Sequence, residues 1–186
     1  MRQAILAVFV CLFPTLTLGQ VAFPEVPPLV PAFSFEGKDW GIQATTAPKR
    51  APYHAPTPTS IPGARVIKTL QLNALLESNK QIVVVDVLDS TTRKTIPGAF
   101  WMSGAGDGEF FAAEERRFAT ALEKLTGGDK NRPIVFLCLN SECWLSYNAS
   151  LHAIEAGYKD VIWYRGGTSA WTGASFEWTT PERLQW

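Results

Sequence analysis

The sequence predicts an α/β domain with a central, mostly parallel sheet flanked by helices on both faces. Three observations predict it. Apolar, β-branched runs at Gln81–Leu88, Pro133–Leu139 and Asp160–Tyr164 have the continuous character of strands buried on both faces. Segments with helical apolar spacing lie before and between them, at Thr69–Ser78, Glu114–Leu125 and Trp144–Ala156. Glycines stand where those helices should stop, at Gly127-Gly128 and Gly157. Alternating helices and apolar strands are the pattern of a parallel sheet covered on two sides.

The elements follow in order. Thr69 stands where a helix cap is wanted, ahead of Leu70, Leu72 and Leu75. Ile96-Pro97-Gly98-Ala99 reads as a turn entering a short strand at Phe100-Trp101. Phe118, Leu122 and Leu125 share one side of the second helix. After the last strand, Gly166-Gly167 opens a short helix through Trp171.

Composition sets the limits. The chain has 186 residues, 46% hydrophobic and 18% charged, which is enough for one domain with a true core. Lys+Arg and Asp+Glu are both 17, so no broad electrostatic grip on nucleic acid or an anionic membrane is expected. Seven Trp and eleven Phe point to aromatic-rich packing. Three Cys are too few for a disulfide-stapled scaffold.

Residues 1–19 have the layout of a secretory signal: Arg2, an apolar run from Ala4 to Leu18, and small residues at Thr17 and Gly19. Gln20 is then the expected mature start, and no membrane attachment is expected after cleavage. Cys11 would leave with the signal, so the exported chain keeps Cys138 and Cys143, in a compartment that favours oxidation. Residues 20–60 form a proline-rich segment, expected to be extended rather than helical. It also carries Phe23, Phe33, Phe35, Trp40 and Tyr53, so part of it is expected to lie along the main domain. The domain proper is read as 61–178, and 179–186 as a tail.

The candidate site is Cys138, at the end of a buried strand, where open α/β sheets bind ligands. Leu139, Asn140, Ser141 and Glu142 lead through Cys143 to a helix beginning near Trp144. Backbone N–H groups of such a loop and helix start form an anion site that stabilises a thiolate. Alternatively, Cys138 is a small buried hydrophobe. Asp86, at the end of another strand, is read as structural support. His152 with two cysteines falls short of the four ligands of a zinc site, and no metal is expected. Asp107, Glu109, Glu114 and Glu115 read as a solvated loop and helix start. Trp163, Tyr164 and Trp171 either pack in the core or floor a groove beside Cys138.

In order and spacing, Asp86, Ile96-Pro97-Gly98-Ala99, Cys138, Gly157-Tyr158, Gly166-Gly167 and Ala170-Trp171 resemble the rhodanese fold. The likeness runs from about Ile61 to Gly173. A narrower likeness rests on Cys143-Trp144-Leu145-Ser146-Tyr147-Asn148-Ala149, Ala51-Pro52-Tyr53, Leu125-Thr126-Gly127-Gly128-Asp129 and Ile162-Trp163-Tyr164. It resembles the exported "PQQ-dependent catabolism-associated CXXCW motif" family, linked to alcohol oxidation by quinoprotein dehydrogenases. The resemblance implies periplasmic location, Cys138 and Cys143 as the reactive pair, and a quinoprotein dehydrogenase or redox protein as partner. It implies no cofactor of this chain's own. It also implies a curled loop, in which a Cys138–Cys143 bridge can close.

The departures are informative. Typical rhodaneses carry an arginine in the loop that binds an anionic sulfur donor. Here no Arg or Lys occurs between Cys138 and Lys159, and Glu142 adds a negative charge. Arg93 and Arg165 are the cations left to act through space. Three readings stay open: a cysteine nucleophile carrying a persulfide or disulfide, a thiol–disulfide redox protein, and a non-enzymatic module with a structural bridge.

Overall fold

The computed structural model describes residues 20–24, 33, 35–78, 81–91 and 93–186. The signal segment 1–19 lies outside them. The strands are β1 (Arg65–Val66), β2 (Val83–Asp86), β3 (Phe100–Trp101), β4 (Ile134–Leu137) and β5 (Val161–Tyr164), and the helices are α1 (Thr69–Ser78), α2 (Ala112–Thr126), α3 (Leu145–Glu155) and α4 (Gly167–Gly173). The sheet order is β1-β5-β4-β2-β3, and all four pairings are parallel.

The three long apolar runs are the three central strands, each buried at all four positions. Alternation along them sorts the core into two layers. Val83, Val85, Ile134, Phe136 and Val161 face α2 and α3, where Phe118, Leu122, Ala149 and Ala153 meet them. Val84, Val135, Leu137, Ile162 and Tyr164 face α1 and α4, where Leu72, Leu75, Ala170 and Trp171 meet them. The expected α/β architecture is therefore present. Trp163, Tyr164 and Trp171 are core residues, each at most 3% exposed.

Register places the functional row. Asp86 pairs with Leu137, and Leu137 with Tyr164, so the three strands end level. Cys138 and Arg165 stand one step further along, where β4 and β5 leave the sheet.

Thr69 does not cap α1 with its own oxygen. Its N–H and hydroxyl both donate to Glu36 Oε2, at 2.9 and 2.6 Å. The proline-rich segment thus supplies an anion to the helix start, where the macrodipole favours one. α2 is closed at Gly127, whose φ of 68° is the left-handed conformation, with its N–H on the Glu123 carbonyl. The tail also docks. Trp101 donates its N–H to Glu182 O, Leu184 donates to Trp101 O, and Trp186 packs on Phe110 and Phe118.

His152, on α3, is 8% exposed and stacks on Phe110 at 4.0 Å. Its Nε2–H donates to the Asp107 carbonyl at 2.8 Å. Burial lowers its pKa, while that carbonyl and the Glu155, Glu115 and Asp107 carboxylates act the other way. A histidine kept neutral by the fold binds fewer protons than in the unfolded chain. Its stabilisation is complete above the unfolded pKa of about 6.5 and is lost as pH falls below it. Melting temperature is expected to drop between about pH 7 and pH 5, and His152→Gln to flatten that drop. An unchanged slope in the variant would refute this account.

Candidate functional site: a bridged cysteine loop under a strap

Cys138 follows β4 directly, and alternation turns its side chain to the α2/α3 layer. It is disulfide-bonded to Cys143, with the two Cα atoms 6.4 Å apart. That lies within the roughly 4.4–6.8 Å a bridge requires. The loop curls because Asn140 organises it. The Asn140 side-chain oxygen accepts the Glu142 N–H at 3.0 Å, and its carbonyl accepts the Cys143 N–H at 3.1 Å. α3 begins one residue after Trp144.

The short helix α4 holds the loop from behind. Thr168 N–H donates to Cys138 O at 3.0 Å, and Ser169 N–H to Leu139 O at 2.8 Å. This approach requires glycine at 167. Its φ is +58°, and a Cβ there would lie 2.6 Å from the Cys138 carbonyl oxygen. Thr168 is tied in turn to Arg93, whose Nη2 donates to its hydroxyl at 3.1 Å. Arg93 Nε pairs with Asp86 Oδ2 at 2.7 Å, and Leu88 N–H donates to Asp86 Oδ1 at 3.0 Å. Burial raises the Asp86 pKa, and the Arg93 guanidinium opposes that rise.

The proline-rich segment lies across the loop as a strap. His54 and Cys143 form an antiparallel bridge, Ala55 N–H donates to Glu142 O at 2.8 Å, and Trp144 N–H donates to Tyr53 O at 2.9 Å. The Thr57 hydroxyl donates to Ser141 O at 2.6 Å, and Trp144 Nε1 to Pro56 O at 3.1 Å. Asn148, on α3, pairs its carboxamide with both backbone groups of Lys49, at 2.8 Å each. Arg165 fastens the strap from below. It donates to Thr57 Oγ1, Thr57 O and Glu36 O at 3.0, 3.0 and 2.8 Å, and lies 5.0 Å from the Trp40 ring.

Two expectations change. The loop is not an open anion cradle in this bridged form. The N–H groups of Glu142 and Cys143 are spent on Asn140 within the loop itself, and that of Trp144 on Tyr53 of the strap. Both candidate cations are engaged elsewhere, Arg93 with Asp86 and Thr168 and Arg165 with the strap. Cys138 and Cys143 are 1% and 5% exposed, Ser141 and Trp144 are buried, Asn140 and Glu142 half-buried, and Leu139 exposed. Among the described residues, no group of three His, Cys, Asp or Glu side chains is placed to hold a metal ion. His54 is exposed, and His152 points to Asp107.

Sequence reasoning missed Ser146. Its Oγ lies 3.2 Å from Cys138 Sγ and accepts the Trp163 Nε1–H at 3.0 Å. Nothing in the local sequence marked it, because it reaches Cys138 only after the loop has curled back.

A parallel α/β sheet with a cysteine loop after its central strand defines the class. The chain belongs to the rhodanese-like domain family, whose family model matches residues 60–174. Solved structures with this fold include a thiosulfate sulfurtransferase from Pseudomonas aeruginosa, at 20% identity and a TM-score of 0.50. That match covers 66% of this chain and 22% of the other, so this chain spans about a fifth of its length. Others are a protein from Bacillus halodurans (20% identity, TM-score 0.48, 63% and 77% coverage) and the polysulfide-sulfur transferase homodimer from Wolinella succinogenes (19%, 0.46, 63% and 79%). At these identities the likeness is one of fold. No curated protein matches the chain.

Proposed function

We propose that this is an exported rhodanese-like protein whose Cys138–Cys143 pair cycles between disulfide and dithiol, in support of PQQ-linked alcohol catabolism. One observation carries the cysteine chemistry: the family's cysteine position is bridged to a partner five residues on, in a loop with no free cation for an anionic sulfur donor. The partner would be a periplasmic dithiol protein or a quinoprotein dehydrogenase. In one exchange the partner's two thiols become a disulfide and this bridge becomes two thiols, so electrons and protons balance, and a second disulfide of the same chemical class restores the bridge by the reverse exchange. The reading of residues 1–19 as a signal supports export, and the Cys143-Trp144 motif supports the link to alcohol oxidation.

The test is intact mass and activity. Purified wild-type protein is expected to gain the mass of two hydrogens under mild dithiol reduction and to show little thiosulfate:cyanide sulfur transfer. Rapid transfer, with one added sulfur on Cys138, overturns the reading in favour of a persulfide enzyme. A bridge that resists reduction, with a potential below about −300 mV, overturns it in favour of a structural crosslink.

A further inference from the structure

The two sulfurs of the bridge are not equivalent. Ser146 Oγ lies 3.2 Å from Cys138 Sγ, inside the core and 1% exposed as a residue. A disulfide sulfur carries no hydrogen, so in this pair the serine hydroxyl is the donor. Trp163 Nε1, a donor only, fills a lone pair of the same oxygen at 3.0 Å. That contact orients the hydroxyl and leaves its proton directed at Cys138. Cys143 Sγ has no hydroxyl donor among the described contacts. Exposure runs the same way: Cys138 is 1% exposed and Cys143 is 5%.

We infer that Ser146 is a positioning residue that sets the polarity of exchange, making Cys138 the leaving sulfur and Cys143 the sulfur attacked. This rests on the exchange reading above. An incoming thiolate bonds to Cys143 Sγ, and the Cys143–Cys138 bond breaks. Its electron pair goes to Cys138 Sγ, where the Ser146 O–H donates to the new thiolate without giving up its proton. The partner's second thiol gives its proton to water and attacks the partner's own sulfur in the mixed disulfide, releasing Cys143, and Cys143 and Cys138 each take a proton from water. A better-stabilised leaving thiolate leaves faster. The Cys143 carbonyl, 3.3 Å from Cys138 Sγ, opposes the thiolate and accepts from the thiol once exchange is complete. Loss of the serine hydroxyl therefore leaves only the opposing group.

The experiment reads the thiolate directly. In full-length protein carrying Cys11→Ser and Cys143→Ala, which adds no hydroxyl beside the sulfur, Cys138 is the sole thiol. Its ultraviolet thiolate absorbance is titrated with pH, with and without Ser146→Ala, after circular dichroism shows both are folded. The expected result is a higher titration midpoint with Ser146→Ala and about tenfold less thiolate at neutral pH. Ser146→Thr, which keeps the hydroxyl, is expected to restore the midpoint. An unmoved midpoint in Ser146→Ala overturns the assignment. In wild-type protein briefly exposed to reduced glutathione, the adduct is expected on Cys143, and an adduct on Cys138 overturns the polarity. If glutathione leaves the bridge intact, the exchange reading fails, while the titration still decides what Ser146 does to Cys138.

Discussion

Asp86→Ala is expected to destabilise the protein by about 3–5 kcal/mol, because it breaks a buried ion pair by removing one partner. The Asp86 side chain is fully buried, and that of Arg93 is 9% exposed. Without the carboxylate, the guanidinium is left in the interior with the Thr168 hydroxyl as an acceptor but no anion. The Leu88 N–H also loses its acceptor. For a chain of this length, such a loss lowers the melting temperature by roughly 6–20 °C. Asp86→Asn is expected to cost less, since an amide oxygen still accepts from Leu88. Cys138 reactivity in the folded fraction is expected to change little, because Asp86 reaches it only through Arg93 and Thr168. Thermal melts together with alkylation of reduced protein check this. An unchanged melt with an unreactive Cys138 would place Asp86 in the chemistry rather than in the fold.

Much of this architecture was legible in the sequence, and the rest was illegible for physical reasons. β2, β4 and β5 were visible because strands buried on both faces must be apolar at every position. β1 and β3 have two residues each, too few for any period, and β1 was not anticipated. The helices were visible through their apolar spacing and terminal glycines. The proline-rich segment was legible as extended, because proline forbids the alternatives, and its aromatics signalled docking. Its path over the cysteine loop was not legible. That path is set by backbone hydrogen bonds from Ala55, Thr57 and Trp144 and by Asn148, which any sequence of similar polarity could supply. The same holds for Glu36 at the start of α1, a cap contributed from 33 residues away. Within the site, the Cys138–Cys143 pair was visible as a spacing. Arg93 and Arg165 were recognised as cations but not as cations already spent, since pairing is a property of the folded loops.

The strap makes the reactivity of the bridge depend on residues remote from it, and Arg165 shows how strongly. Replacing Arg165 with Met is expected to speed disulfide reduction by small dithiols about 30-fold. Arg165 is 2% exposed as a residue and has no carboxylate within ion-pair distance among the described residues. Burial lowers its pKa, with Asp39 acting in the opposite direction. Its donors are satisfied by Thr57 and Glu36, both belonging to the segment that covers the cysteines. Methionine fills a similar volume but donates to neither, so the closed strap leaves those carbonyls without a partner, at about 1–3 kcal/mol each. Opening restores them to water. A net shift of about 2 kcal/mol toward the open strap raises its population about 30-fold, and reduction through the open form rises in proportion. Global stability is expected to fall by less, because the variant also removes the cost of burying an unpaired cation. Timed reduction with alkylation and intact mass gives the rate, and a thermal melt gives the stability. If Arg165→Met leaves the rate at the wild-type value, the strap does not control access to the bridge. If rate and melt change in step, the bridge is reached only through global unfolding.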